Sequence, residues 1–432
     1  MITMEELQAA IKLRINNYNN NTDFPLHNRA INTCDLLDSR NYILAQDIAS
    51  PFDVPRQNLS AMDGYAIARG SELSEGNTIE IIGESQAGSA YIGETIAGQG
   101  VRIFTGAVVP DCCDTVIMQE NTNFADIKTT IDKSQPYSIT LTQTAEANDN
   151  IRAQGEEIES GEAVLKIGKR LNPADISLLA NLGVSEVSVF QPLVVGVLAT
   201  GDELVAIGDE LKHLAQIYNS NTPTLKSLLS DLPIIIRDYG IIPDDLDKTT
   251  AAVNEAMQAC DVLISTAGVS VGDYDFLTTV IETLGQINHY KVAMKPGKPF
   301  VFGELNKNLD KPVLYFGLPG NPLSTVVGAL QFVIPALWQM SGASVSEQPM
   351  PLTIKAKLTN DIKKSPGRKD FQRGVLSQDE AGNHQVECFS SQQSHRIKQL
   401  SRANCFIVLD KDSGNISSGD KVTVQPFPWL HR

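Results

Sequence analysis

The chain has 432 residues and a formal net charge of −16. Its length suggests about three domains, and its hydrophobic content of 42% is enough to bury a sizeable core. The acidic balance argues against nucleic acid and anionic membrane as general partners, because the field of the whole protein repels polyanions.

The amino-terminal stretch MITMEELQAAIKLRI is predicted to form an amphipathic helix and lacks the features of a secretory signal. We see no segment close to the roughly 18 apolar residues that cross a bilayer, so a cytoplasmic protein is expected. The six cysteines show no C-x-x-C pair or other zinc spacing, and we expect reduced, mostly buried thiols.

The first 45 or so residues favour helix, whereas residues 52 to 150 contain short alternating runs such as TIEIIGESQAG and DTVIMQEN, which are typical of strands. Turns and a helix after Pro173 follow. This order predicts a β-rich domain, residues 49–149, inserted into a small discontinuous N-terminal domain, residues 1–48 and 150–188.

Strands then alternate with helices of ten or more residues, which predicts parallel βαβ units in a doubly wound α/β domain, residues 189–343. Short strands such as LTIKAKL, CFIVLDKD and DKVTVQPF close the chain and predict a C-terminal β-barrel, residues 344–432. The fold class is therefore multidomain, α/β plus β.

Four unusual motifs follow strands of the α/β region: GDEL, PDD, AGVSVGDYD and GLPGNP. Ligands of open α/β sheets bind outside the carboxyl ends of the strands. Small residues let backbone N–H groups approach a phosphate. The carboxylates of Asp202, Glu203, Asp244 and Asp275 are oxygen ligands of the kind that Mg²⁺ uses together with a substrate phosphate.

The segment KVAMKPGKPF adds Lys291, Lys295 and Lys298 to this acidic chain, stiffened by two prolines and a glycine. Lysine supplies a point charge to an anion. Each feature alone is more often a turn, a solvated face or a helix cap, and Asp244 and Asp245 just before a helix fit the cap. There is no Walker or dinucleotide fingerprint. Together the features favour a pocket for an anion and Mg²⁺.

The strings SAMDGYA, RIFTGAVVP, NIRAQGEEI, LATGDEL, STAGVSVGDYD, KVAMKPGKPF and FGLPGNP occur in the order expected of one family. In them the sequence resembles the molybdopterin molybdenumtransferases and the E domain of gephyrin. The resemblance implies a four-domain homodimer whose α/β domain is similar to the molybdopterin adenylyltransferases. Its active site would lie between this domain and the β-rich domain of the other subunit.

The reaction that the resemblance implies takes adenylylated molybdopterin and molybdate, releases AMP with Mg²⁺ and yields molybdenum cofactor. The adenylyltransferase and other proteins of the cofactor pathway are the implied partners, with no nucleic acid and no membrane. The implied catalytic residues are Lys291, Lys295, Asp275 and Glu203. The implied substrate-binding residues are Asp63, Thr105, Glu157, Asp244, Gly268, Ser270, Pro319, Gly320, Asn321, Pro322 and Ser394. The implied metal ligands are Asp244, Asp275 and Glu203.

Two positions depart from the family pattern. Glu157 stands where the family usually has Asp, and Ala267 replaces a glycine, which would strain the backbone if that position needs a positive φ. A paralogue with altered substrate preference, such as one for tungstate, stays open. Two other readings are an adenylyltransferase-like enzyme, against which the flanking domains argue, and a dimeric scaffold, against which the lysines and carboxylates argue.

Overall fold

The computed structural model describes residues 1–20, 29–267, 276–306, 311–348 and 350–429. The chain forms two compact units. The first comprises Met1–Gln46, Ile167–Ser177 and Ser185–Arg432, and the second comprises Asp47–Lys166 and Leu178–Val184. The predicted fold class is confirmed: a β-rich unit is inserted in a chain that otherwise forms an α/β domain and a C-terminal barrel. The exact boundaries of four domains stay a prediction.

The helices of the described residues are α1 (Met4–Asn20), α2 (Phe124–Ile127), α3 (Pro173–Asn181), α4 (Asn221–Leu229), α5 (Leu246–Ala259), α6 (Phe276–Leu284), α7 (Pro322–Gly328), α8 (Ile334–Met340) and α9 (Ile397–Arg402). A π-helical turn, Ala329–Val333, joins α7 to α8.

The strands up to the α/β domain are β1 (Ile31–Asp35), β2 (Ile48–Ala49), β3 (Leu59–Ser60), β4 (Gly64–Ala68), β5 (Thr78–Ser85), β6 (Gln99–Ile103), β7 (Cys113–Met118), β8 (Tyr137–Thr140), β9 (Ile151–Arg152), β10 (Ala163–Leu165) and β11 (Glu186–Phe190). Those of the α/β domain are β12 (Leu193–Thr200), β13 (Leu204–Val205), β14 (Ile217–Tyr218), β15 (Ile234–Ile242), β16 (Val262–Thr266), β17 (Gly285–Lys291), β18 (Met294–Lys295), β19 (Pro299–Leu305) and β20 (Val313–Leu318). The last are β21 (Ile354–Leu358), β22 (Lys369–Gln378), β23 (His384–Cys388), β24 (Cys405–Leu409) and β25 (Lys421–Pro426).

The sheet of the α/β domain has six strands in the order β15-β12-β16-β20-β19-β17. The first four are parallel, as predicted, but β19 runs antiparallel to both β20 and β17. The sheet is therefore mixed, and the sequence prediction missed β17 and β19. The segment KVAMKPGKPF connects these two antiparallel strands.

Both faces of the inner strands of this sheet are buried, because alternate side chains of each strand enter different cores. Val262 and Ile264 of β16 pack into a core shared with α4, α7 and α8, whereas Leu263 packs into a second core with α5 and α6. This pattern explains why these strands appear in the sequence as nearly continuous apolar runs.

The continuous helical segment Pro322–Met340 is long and apolar enough to cross a membrane by length and composition. The expectation that no segment comes close to this length is wrong here. However, 83% of its apolar window is buried inside the protein. The segment is therefore the central core helix of the α/β domain, and its composition reflects packing on all sides.

Five strands of the C-terminal region pair in a closed ring, β22-β23-β21-β25-β24 and back to β22, which confirms the predicted barrel. Inward residues such as Val386, Ile407 and Val424 fill it. The short strand β18 from the α/β domain adds to the outside of this ring, in parallel with the start of β22.

The second unit is built on a five-stranded sheet in the order β7-β4-β6-β5-β8. Strand β4, which continues the motif SAMDGYA, is buried along its whole length. Its residues Tyr65 and Ile67 pack into one core of this unit, and Ala66 packs into another. The motif therefore supplies an interior strand of this sheet, between β7 and β6.

Gly64 begins β4 and lies against β7 so closely that a β-carbon there would collide with the carbonyl oxygen of Ile117. We predict that Gly64→Ala lowers the free energy of unfolding by about 1–3 kcal/mol, as overpacking of a core does. Urea unfolding would measure this loss. Gly414→Ala is the matched control, because a β-carbon at Gly414 meets nothing within 4 Å. Equal stability of the two variants would contradict the packing argument.

Candidate functional site

The candidate site lies along the edge where the parallel strands end. β15 ends at Ile242, β12 at Thr200, β16 at Thr266 and β20 at Leu318. Strand β17 has the same direction, because it is antiparallel to β19, which is antiparallel to β20. It ends at Lys291, so the lysine-rich connection begins at this same edge.

Carboxylates occupy one end of the edge. The backbone N–H of Asp244 donates to the carboxylate of Asp202 at 3.1 Å, and the backbone N–H of Asp202 donates back to the carboxylate of Asp244 at 3.4 Å. The side chain of Glu203 lies over Gly201, where a β-carbon would collide with the Glu203 carboxylate. The cap interpretation holds for Asp245 alone, which accepts from the N–H of Lys248 at the start of α5.

The lysines occupy the other end. Strand β18 pairs Lys295 with Asp370 of the barrel, and their charged groups lie 3.9 Å apart. The Lys295 side chain is 49% exposed, whereas that of Asp370 is only 6% exposed. The connection is closed by a hydrogen bond from the N–H of Val292 to the carbonyl of Lys298, 2.8 Å long. Lys295 is thus fixed at its base by the barrel while half of its side chain faces solvent.

The carboxylates and the lysines do not meet at one point. Strand β15, which leads to Asp244, and strand β17, which ends at Lys291, are the two outer strands of the sheet. Five spacings of about 4.8 Å separate them, so the two strand ends are roughly 24 Å apart. The edge is therefore suited to an extended ligand with charged groups at some distance from each other.

The motif GLPGNP lies between these ends. A β-carbon added to Gly320 would lie 3.8 Å from the methyl group of Ala267, and one added to Gly297 would lie 3.8 Å from the carbonyl oxygen of Ser324. The loop after β16 therefore borders Gly320, and the connection carrying the lysines borders α7 at Ser324, two residues after Pro322. Pro322 is the first residue of α7, and Asn321 is its N-cap residue.

Ala267 adopts a φ of +88°, in the left-handed region that favours glycine. Its N–H donates to the carbonyl of Leu318 at 2.9 Å, which fixes it beside the end of β20. The position therefore needs the positive φ, and the alanine in it is strained.

Arg373 is a residue that the sequence interpretation missed. It is fully buried in β22 and donates to the carbonyl oxygens of Ser391, Gln393 and Arg396 at 3.0 to 3.3 Å. It thereby shapes the turn that carries Ser394. The sequence offers one signal, since Arg373 lies two positions after Phe371 and therefore on the same face of β22, and Phe371 packs outside the barrel against the larger core.

The second unit brings together two of its three predicted site residues. Thr105 donates its backbone N–H and its hydroxyl to one oxygen of Asp63, each at 2.8 Å. These bonds, the backbone one above all, hold the pKa of the Asp63 carboxyl below its ordinary value. Glu157 is exposed, and its backbone N–H donates to the carbonyl of Val54. Its predicted role stays a prediction.

Gly268, Ser270 and Asp275 lie outside the described residues. Within the ranges that the structure describes, no group of three or more His, Cys, Asp and Glu side chains could hold a metal ion by itself.

Comparison with known proteins places the whole chain. Models of the MoeA N-terminal region (domain I and II), a probable molybdopterin binding domain and the MoeA C-terminal region (domain IV) match residues 2–183, 196–339 and 355–427. A molybdopterin molybdenumtransferase of Haemophilus influenzae is 40% identical over 94% of this chain and 96% of its own length. One of Staphylococcus aureus is 34% identical over 89% of this chain and 88% of its own length.

The fold is shared with a solved structure. The crystal structure of a molybdopterin biosynthesis moeA protein from Pyrococcus horikoshii superposes with a TM-score of 0.78 at 24% identity, and the match covers 99% of this chain and 100% of that one.

The strain at Ala267 can be tested directly. We predict that Ala267→Gly raises the free energy of unfolding by about 1 kcal/mol, because relief of the left-handed conformation outweighs the extra chain entropy of glycine. Chemical denaturation would measure it. Ala199→Gly in β12, where φ is not in that region, should lower stability instead. A loss of stability in both variants would show that Ala267 is unstrained.

The Asp63–Thr105 pair predicts a pH effect. Thr105→Val removes the hydroxyl donor but keeps the backbone N–H, so the pKa of Asp63 should rise and still remain below its ordinary value. Carbon-13 NMR titration of the carboxyl would show this shift. The pKa of Asp53, lowered by bonds from Ser160 and Gln154, should stay unchanged.

The sign of the linked stability follows. A carboxyl whose pKa is lowered on folding contributes stability above its unfolded pKa, and this contribution is lost as the pH falls through the folded value. The difference in stability between wild type and Thr105→Val should therefore shrink in acid. A difference that grows on acidification would contradict the assignment.

Proposed function

The chain belongs to the molybdopterin molybdenumtransferase family and is a transferase of molybdenum cofactor biosynthesis; from its site geometry we propose how it works. It transfers molybdenum from molybdate to adenylylated molybdopterin, with Mg²⁺-dependent release of AMP. The observation that carries this proposal is the separation of carboxylates and lysines along one sheet edge.

An adenylylated pterin has a pyrophosphate between two ring systems, so it is an extended ligand of the kind that this edge suits. The carboxylate end would take the metal-bound pyrophosphate. The lysine end would take the tetrahedral molybdate, which needs cations and N–H donors around its oxygens. This division supports two separate anion-binding regions in one site.

The carboxylates fit Mg²⁺. Asp202 and Asp244 are neighbours, and each uses its carboxylate to accept a single backbone N–H bond, which leaves further oxygen lone pairs for a metal. Mg²⁺ commonly binds one or two carboxylates and completes its shell with water and phosphate oxygens. Asp244 and Glu203, with Asp275, would hold the ion, which supplies charge neutralisation at the pyrophosphate.

At the other end Lys291 and Lys295 bind and orient molybdate. The buried Asp370 beside Lys295 keeps its ammonium group at the base of the connection. Stiff neighbours lower the entropy that must be lost to hold these charges in place. Ser394, on the turn that Arg373 fixes, is assigned to the same substrate.

We assign Asp63, Thr105 and Glu157 to substrate contacts across a homodimer interface. The protein acts in the cytoplasm, with the adenylyltransferase of the pathway as its supplier. Retention of Lys291, Lys295 and the carboxylates favours turnover over a purely scaffolding role.

The test is AMP release from adenylylated molybdopterin by the purified protein with Mg²⁺, with and without molybdate. We predict molybdate-dependent release and a loss of turnover of about 100-fold or more in Lys295→Ala, because a charge aimed at the reacting anion is removed. Lys12→Ala, an exposed lysine on α1, is the control. Full turnover by a folded Lys295→Ala variant would refute the proposed role, and no release by wild type would favour the scaffold.

A further inference from the structure

We infer that Asn221 and Thr325 are positioning residues that aim the backbone N–H groups of Gly320 and Asn321 at an oxygen of a bound tetrahedral anion. Neither Asn221 nor Thr325 belongs to the site predicted from the sequence. The inference deepens the proposed function and rests on it only for the identity of the anion.

Three successive carbonyl groups of the GLPGNP loop are bound from inside the protein. The hydroxyl of Thr325 donates to the carbonyl of Pro319 at 2.7 Å, and the side-chain amide of Asn221 donates to the carbonyl of Gly320 at 2.7 Å. The backbone N–H of Thr325 donates to the carbonyl of Asn321 at 3.0 Å. Asn221 and Thr325 are themselves buried, with exposed fractions of 8% and 0%.

The direction of the N–H groups follows from peptide geometry. In a trans peptide unit the C=O of one residue and the N–H of the next point in opposite directions. Holding the carbonyls of Pro319 and Gly320 toward buried donors therefore turns the N–H groups of Gly320 and Asn321 away from the interior. Both residues are exposed, and in the described part of the structure neither N–H has a hydrogen-bond partner.

In a purely structural role Asn221 would lower the stability of the fold. Its amide nitrogen must face Gly320, because a carbonyl oxygen can only accept. Its own oxygen is then buried and has no partner among the described residues. A buried acceptor without a partner lowers stability, so an apolar side chain would serve the core better. The side-chain amide of Asn221 instead fixes the orientation of the peptide unit between Gly320 and Asn321.

The pair of N–H groups suits an oxyanion. Two successive N–H donors that face the same side of a loop offer two bonds to one anion, as backbone anion sites do. The connection that carries Lys295 borders the helix that follows this loop, because Gly297 lies beside Ser324 of α7. A tetrahedral dianion fits best, and both molybdate and the phosphate of AMP have that chemistry.

The experiment is equilibrium calorimetry of the full chain with two probes, sodium molybdate and AMP. Asn221→Ala and Thr325→Val each release one carbonyl, and we expect each to weaken binding of one probe about 10-fold, as loss of an aimed donor does. The probe that weakens identifies the anion. Thr325→Ser keeps the hydroxyl and should restore the affinity.

Asn219→Ala is the matched control. Asn219 is also buried, but among the described residues its side-chain amide bonds only to Thr222, at the start of α4. Asn219→Ala should therefore leave both affinities unchanged, whatever its effect on the thermal midpoint.

Equal affinities in Asn221→Ala, Thr325→Val and wild type, or no binding of either probe by wild type, would overturn the inference. Thr325→Val, which is nearly isosteric, decides the matter if Asn221→Ala does not fold. The proposed function is judged separately by AMP release. If the variants keep normal turnover and unchanged affinities, the inference is refuted and the proposed function stands. If the variants bind a probe more weakly but wild type shows no turnover, the proposed function is refuted and the inference stands.

Discussion

The shared direction of β15, β12, β16 and β20 is the constraint on which the candidate site depends. Strands β16 and β20 are buried along their whole length, because helices cover both faces of the sheet. A buried strand has little room for a charged side chain, since an unpaired charge in the core is very costly. Charged side chains therefore lie in the loops where the strands end. Because these four strands are parallel, four of those loops lie at one edge of the sheet.

The antiparallel strands β17 and β19 add a feature that the four parallel strands lack, a cationic segment. They bring this cationic connection to the same edge without a further crossover helix. The short strand β18 then joins this connection to the barrel, and Asp370 of β22 lies beside Lys295. The barrel thus has a definite part in the site: it holds the base of the lysine connection and, through Arg373, the turn that carries Ser394.

Much of this could be predicted from sequence, because the strands that matter are apolar runs that stop at glycine or proline. For that reason the described motifs GDEL, PDD and GLPGNP lie at the edge that the sequence predicts. Strand order is different: nothing in a local pattern says that the strand before Asp244 and the strand ending at Lys291 lie at opposite sides of the sheet. β17 was missed because GQINHYK is an outer strand with several exposed polar residues and no apolar run. The role of Arg373 depends on contacts with residues about twenty positions away.

Two residues that lower the stability of the fold lie close together at this edge. Ala267 has a backbone angle that suits glycine, and Asn221 has a buried oxygen without a partner in the described residues. Both flank Gly320, the first through its methyl group and the second through a hydrogen bond. Such costs persist only where the surroundings determine the conformation strongly, and they concentrate at functional sites. The cores on both faces of the sheet determine the conformation here. The segment Pro319–Pro322 is consequently held in one conformation by the interior, and its exposed N–H groups are already oriented before any ligand arrives.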